Sequence, residues 1–291
     1  MKNSLHRFPI SAYIELAKPR ILTLVLVTTT IGYFFAGHGI NSVSKLLFTL
    51  LGAALTCGGS SALNHYLERD ADGKMARTRN RPLPQGIIAP STAMFYGLSL
   101  ILLGIMVLYW KVNLLTAFLS LLTAFLYVLV YTPMKRLTWL NTTFGAIPGG
   151  IPPVGGWAAA TGQLDGGAFA LFLILFIWQH PHFYAIAWLF KEDYRRAGFK
   201  MLPVIEPSGK STFFQIVLFS VFLIPVSILP TLIGMSGQVY LVGAGLLSCV
   251  LLIAGISLAV SKSMLDARKL LQVTVIYLPL LLLLILVDFG F

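Results

Sequence analysis

The stretch NHYLERDADGKMARTRNRPLP, Asn64 to Pro84, lies between two long apolar runs and decides how the chain is read. It carries three of the ten acidic residues and five of the 21 Lys and Arg. Asn64, Glu68 and Asp72 recur at i, i+4 and i+8. With 3.6 residues per turn, each step of four overshoots a full turn by only about 40°, so the three share one helix face. Asp70 points away from them, and Gly73 follows where a helix C-cap belongs. The stretch therefore reads as the polar end of a membrane helix and the loop that leaves it.

Glu68 and Asp72 are like charges at i,i+4, which repel, and Asp72 sits at the negative end of the helix dipole. The sequence predicts discomfort here unless a cation binds. Mg²⁺ takes one or two carboxylates, several waters and the oxygens of a phosphate. Lys74, Arg77, Arg79 and Arg81 could hold the rest of a polyanion. A solvated mixed-charge loop has the same spacing; the run of cations at the end of a membrane helix favours the metal–phosphate site.

Working outward, 57% of residues are hydrophobic and 11% charged, and the mean hydropathy is +0.84. Soluble domains are about 25% charged, so this is a polytopic membrane protein. The net charge of +11 is explained by its distribution across the membrane and is not read as a nucleic-acid signal. Cys57 and Cys249 lie in apolar runs and read as small buried hydrophobes, with no disulfide framework and no zinc spacing.

Residues 1–20 are basic and weakly amphipathic, an interfacial segment ahead of the first span. A cleaved signal peptide is the alternative, but the following apolar run is long enough to cross. Spans are expected at 21–37, 45–63, 92–110, 113–131, 141–160, 168–188, 213–233, 239–260 and 271–287, nine helices in all. With the N-terminus in the cytoplasm, 19 of the 21 cations fall inside, and only Lys45 and Lys111 outside, as the positive-inside rule requires. The loops 64–91 and 189–212 are then cytoplasmic. They echo each other in Arg81-Pro82-Leu83-Pro84 and Lys200-Met201-Leu202-Pro203, a weak sign of an internal repeat with both loops at one mouth.

In the second loop Asp193 is flanked by Lys191, Glu192, Tyr194, Arg195 and Arg196, which suits a second metal or a plain charged collar. AIPGGIPPVGGW, Ala146–Trp157, predicts a broken helix lining a cavity, since irregular backbone at membrane depth is tolerated only there or inside protein. The sequon at Asn141 lies at the cytoplasmic edge and is discounted. Trp178-Gln179-His180-Pro181-His182-Phe183-Tyr184 puts two histidines inside a span, where polar groups are functional candidates. They could ligate a metal or haem, donate hydrogen bonds, or bond only to their own helix. Two apart, they diverge by about 200° on a regular helix, unless Pro181 distorts the turn. His38 and His65 lie nearer span ends and carry less weight.

Asn64-x-x-x-Glu68-x-x-x-Asp72 with Arg81-Pro82-Leu83 behind it resembles the UbiA superfamily of intramembrane prenyltransferases. Glu15-x-x-Lys18-Pro19-Arg20, Tyr131-Thr132-Pro133-x-Lys135-Arg136, the Pro/Gly-rich fifth span, the Trp178–Phe183 motif and Asp193-Tyr194 are similar to its haem-modifying branch. The resemblance departs at Glu68, where Asp is usual, and at Ala197, where the wider superfamily has a second acid. It implies one all-α domain over 1–291, nine helices around a central cavity, in the inner cell membrane. It further implies Mg²⁺ as cofactor, farnesyl diphosphate and haem b as substrates, and a product handed to haem A synthase or terminal oxidase assembly. By the same resemblance Asn64, Glu68 and Asp72 hold one Mg²⁺ and Asp193 a second, with Lys135 catalytic. Lys74, Arg77, Arg81, Tyr131, Arg136, Lys191 and Arg196 would bind substrate, and His180 and His182 would meet the haem. A quinone precursor or chlorin is the alternative acceptor, and a transporter the alternative class, since broken helices mark those too.

Overall fold

The structure, a computed structural model, describes residues 9–288; of the expected interfacial segment, residues 1–8 lie outside the described residues. The chain begins with α1 (Pro9–Leu16) and α2 (Pro19–Ala36), then the long α3 (Val43–Asp72), whose last two turns carry the polar stripe. After a turn-rich loop come α4 (Pro90–Lys111) and α5 (Leu114–Phe125), the latter running through a π-helical segment, Leu126–Tyr131, into α6 (Thr132–Leu137). Next are α7 (Asn141–Thr161), α8 (Gly166–Leu189), and the short α9 (Lys191–Arg196) and α10 (Leu202–Ile205). The remainder is α11 (Lys210–Ser227), α12 (Leu229–Leu232), α13 (Gln238–Ser261) and α14 (Met264–Val287).

Eight helical stretches among the described residues are long and apolar enough to cross a membrane, where nine were expected. The stretch left out is α7, which is fully helical over 21 residues but contains Pro148, Pro152 and Pro153. Its composition follows from its position. It packs against α2, α5 and α8, so it presents little surface to lipid and needs no long apolar side chains.

The expected break in this helix is not there. Its Pro148, Gly149, Pro152 and Gly155 line an internal cavity, so carbonyls that the proline rings deprive of donors do not face lipid. Its other face meets α2 at backbone distance. A Cβ on Gly32 would lie 1.9 Å from Pro153 O, and one on Gly156 would lie 1.9 Å from Thr29 O. Gln179 of α8 braces the prolines' own turn, donating from Nε2 to Ala146 O at 3.2 Å.

Close helix approach through small residues, common in membranes, also joins α3 to α4: a Cβ on Gly59 would meet Gly97 O at 2.5 Å. With that side of α3 filled by α4, its remaining face (Thr49, Ala53, Thr56, Cys57, Ser60, Ser61) borders the cavity. The largest buried apolar cluster joins α7, α8 and α14 through Trp157, Leu171, Ile174, Trp178 and Tyr277. Outward side chains such as Leu102, Phe118, Leu246 and Val260 are exposed and apolar, the surface a bilayer would cover. Gly73 does cap α3, but in the right-handed region (φ −63°, ψ −24°), and the chain continues directly into the next turn.

Candidate active site

At the C-terminal end of α3, Asn64, Glu68 and Asp72 are buried along one face and line a polar pocket of about 160 Å³. Each is paired with a cation from a different part of the chain. Lys18, between α1 and α2, donates from Nζ to Asn64 Oδ1 at 2.6 Å. Lys135 of α6 reaches Glu68 Oε1 at 2.7 Å. Arg81 donates from Nη1 to both carboxylate oxygens of Asp72 at 2.9 Å. The repulsion expected between Glu68 and Asp72 is thus neutralised inside the protein. Asn64 also donates from Nδ2 to Thr132 Oγ1 at 3.0 Å, which ties α3 to α6.

Lys18 was not among the sequence candidates, although Lys-Pro-Arg ahead of the first span was visible. It sits in the left-handed region (φ 51°, ψ 69°) immediately before Pro19, a backbone state that a non-glycine residue holds only when its surroundings enforce it. Burial, with Arg81 close by, pushes its ammonium down to about 7. His65, given little weight from sequence, is also here. It is buried, and neither ring nitrogen has a hydrogen-bond partner.

Tyr127 and Tyr131 of the π-helical segment stand 5.6 Å apart at the pocket wall, and the Lys135 ammonium lies 4.5 Å over the Tyr131 ring. Arg77 lies 5.0 Å over Phe190 and donates to Tyr194 OH at 3.3 Å. The second loop closes the mouth with Tyr194, Phe199 and Met201, held by a bond from Lys200 N to Lys135 O at 2.7 Å.

The other candidates are not gathered here. Lys74 and Arg136 are exposed outside the pocket. Lys191 lies 4.1 Å over the Trp188 ring. Asp193 does not join Glu68 and Asp72; it accepts from Ala76 N–H at 3.2 Å and pairs with Arg196, tying one loop to the other. Burial pushes the Asp193 carboxyl up, but the Ala76 N–H and the Arg196 guanidinium outweigh it and hold the group below the usual carboxylate range.

Ile21, Arg77, Tyr127, Tyr131, Tyr194 and Met201 border both this pocket and a mainly apolar cavity of about 500 Å³ enclosed by α2, α3, α5, α7 and α8. His182 lines that cavity. Thr274 spends its single hydroxyl proton on Leu271 O at 2.7 Å, so it accepts from His182 Nδ1–H at 2.9 Å and leaves the His182 Nε2 lone pair uncommitted. His180 is fully buried, stacked on Phe219 at 3.6 Å. It donates from Nδ1 to Phe176 O at 2.8 Å, and its Nε2 accepts from Thr143 Oγ1 at 3.3 Å.

Among the described residues no three His, Cys, Asp or Glu side chains converge as a metal centre. The converging set is one amide oxygen and two carboxylates, a hard-oxygen set suited to an Mg²⁺ that keeps waters and takes phosphate oxygens.

The chain is similar to known proteins over nearly its whole length. A protoheme IX farnesyltransferase of Solibacter usitatus (strain Ellin6076) is 48% identical over 95% of this chain and 98% of its own length. One of Salinibacter ruber (strain DSM 13855 / M31) is 43% identical over 95% and 98%. Among solved structures, a digeranylgeranylglyceryl phosphate synthase superposes with a TM-score of 0.81 at 18% identity, over 96% of this chain and 98% of that one. A UbiA homologue from Archaeoglobus fulgidus bound to GPP and Mg²⁺ gives 0.64 at 16% identity, over 94% and 99%. Residues 25–285 match the UbiA prenyltransferase family along nearly the whole chain, and the chain belongs to that family.

Proposed function

We propose that this enzyme transfers the farnesyl group of farnesyl diphosphate to a vinyl group of haem b, giving haem O for terminal oxidases. The observation that carries the reading is that the small polar pocket adjoins the large apolar cavity, with Ile21, Arg77, Tyr127, Tyr131, Tyr194 and Met201 lining both. A diphosphate suits the first and an isoprenoid tail the second. The relatives named above supply the acceptor, haem b.

In this reading Asn64, Glu68 and Asp72 hold Mg²⁺, which when bound neutralises charge that develops on the leaving diphosphate. Lys135, Arg81 and Arg77 face the same anion, the first two leaving their carboxylates for it. As the allylic C–O bond breaks, its electron pair leaves with the diphosphate, where preorganised cations stabilise it. The apolar walls keep water from the allylic cation. The haem vinyl group supplies the electron pair of the new C–C bond, and water captures the resulting cation with loss of a proton. His182, with Nε2 uncommitted at the cavity, is the residue suited to contact haem; His180 is structural. Asp193 orders the mouth through the Ala76 loop.

The same reading makes residues 1–291 one domain of nine spans in the inner cell membrane, α7 included. Its N-terminus is cytoplasmic, as are the loops 64–91 and 189–212. The test is purified protein with labelled farnesyl diphosphate, with and without Mg²⁺ and haem b. Mg²⁺-dependent label in a hydroxyethylfarnesyl haem is expected. Label transferred equally well to a quinone precursor or chlorin would overturn the acceptor, and no transfer in any mixture would overturn the activity.

A further inference from the structure

Both ring nitrogens of His65 lack a partner although the side chain is buried, and an unpaired buried polar group is costly. His65 precedes Asp72 by seven residues, about two turns of α3, so the two share a face. Its Nδ1 lies 3.9 Å from Asp72 Oδ2, too far for a hydrogen bond and within a small side-chain adjustment of one. Arg81 at present occupies both oxygens of Asp72.

If the metal–diphosphate reading above holds, Arg81 leaves Asp72 for the diphosphate while Asp72 turns to the metal. Asp72 then has lost the donor that fixed its carboxylate, with an unpaired imidazole beside it. Ligating carboxylates are generally held by an outer hydrogen bond. A neutral imidazole supplies one without adding charge to a mouth that already holds Lys18, Arg81 and Lys135. We propose that His65 is a positioning residue, donating from Nδ1–H to Asp72 Oδ2 in the loaded site and so holding Asp72 as a metal ligand once Arg81 has gone.

The test uses full-length protein in nanodiscs, Mn²⁺ as a spin-active probe, and inorganic pyrophosphate as the anion. His65→Leu should raise the Kd for Mn²⁺ by about 10- to 100-fold with pyrophosphate present. With Mn²⁺ alone the loss should be much smaller, because Arg81 still braces Asp72. His65→Asn, which keeps a donor, should recover part of the affinity, and His65→Phe, which keeps a ring without one, should not. Metal-free His65→Leu should melt no lower than wild type, since it loses no hydrogen bond. Unchanged affinity in both His65→Leu and His65→Phe, or equal weakening with and without pyrophosphate, would make His65 packing alone and overturn the proposal. Failure of the wild type itself to bind Mn²⁺ with pyrophosphate is a distinct result, and it would sink the metal reading and this inference together.

Discussion

Glu68 and Lys135 are each mostly buried, at 6% and 13% side-chain exposure, and each is the other's partner. Glu68→Gln therefore strands the ammonium, and removing one member of a buried pair costs on the order of 3 kcal/mol. In EDTA this variant should melt below wild type, and Glu68→Gln/Lys135→Met should recover most of the loss. A Glu68→Gln protein that melts higher than wild type would mean that repulsion from Asp72 dominates after all. The histidines give a second test. His182→Ala should lose the bound-haem absorption spectrum while keeping farnesyl diphosphate affinity; His180→Ala, which forfeits two hydrogen bonds and the Phe219 stack, should mainly lose stability. The Asn64–Glu68–Asp72 face was legible because helical period is written in sequence. Lys18 was not, because its partner is 46 residues away and spacing says nothing about which cation lands on which acid.

At the scale of elements, α7 was legible as special but misread as broken. Sequence shows that prolines remove donors and that the freed backbone must line a cavity or lie inside protein; it does not show that the helix stays continuous around them or that glycines will seat α2 against the other side. Gly156→Val puts a side chain where Thr29 O already lies, so this variant should insert poorly and unfold at lower temperature. In-membrane yield and thermal melting will measure it, and wild-type behaviour would show that α2 and α7 can separate freely. The loop tie makes a different forecast. Asp193→Ala should let trypsin cut at Lys74, Arg77 and Arg79 and should raise the KM for farnesyl diphosphate. A depressed carboxyl pKa contributes its stabilisation above the unfolded value of about 3.9 and loses it only as pH falls through the lower folded value. Wild-type loop protection, read with an acid-tolerant protease, should therefore be the same at pH 5 as at pH 7. Protection already lost at pH 5 would show that the tie does not rest on Asp193.

For the whole molecule, eight of the spans could be read from hydropathy and charge because the lipid-facing surface must be apolar. The central helix, expected at 141–160, is the one of the nine that is not apolar enough to count by that logic, because it serves the cavity instead. The charge asymmetry predicts that Gln85→Cys and Ser208→Cys will be labelled from the cytoplasm and Gln163→Cys from the opposite side, by membrane-impermeant maleimide on oriented vesicles. Either loop labelled from outside would overturn the orientation.

The pairing of Asn64, Glu68 and Asp72 with Lys18, Lys135 and Arg81 also bears on how a catalytic cycle ends. Once the prenyl group has been transferred, pyrophosphate remains in a mouth whose cations have former partners within reach. Glu68 and Asp72 on α3 and the departing anion then compete for the same two positive groups, Lys135 and Arg81. The stronger the internal pairs, the faster the by-product is expelled and the less it inhibits. Weakening one pair should show as slower turnover with tighter inhibition by pyrophosphate, so part of the site's design serves clearance.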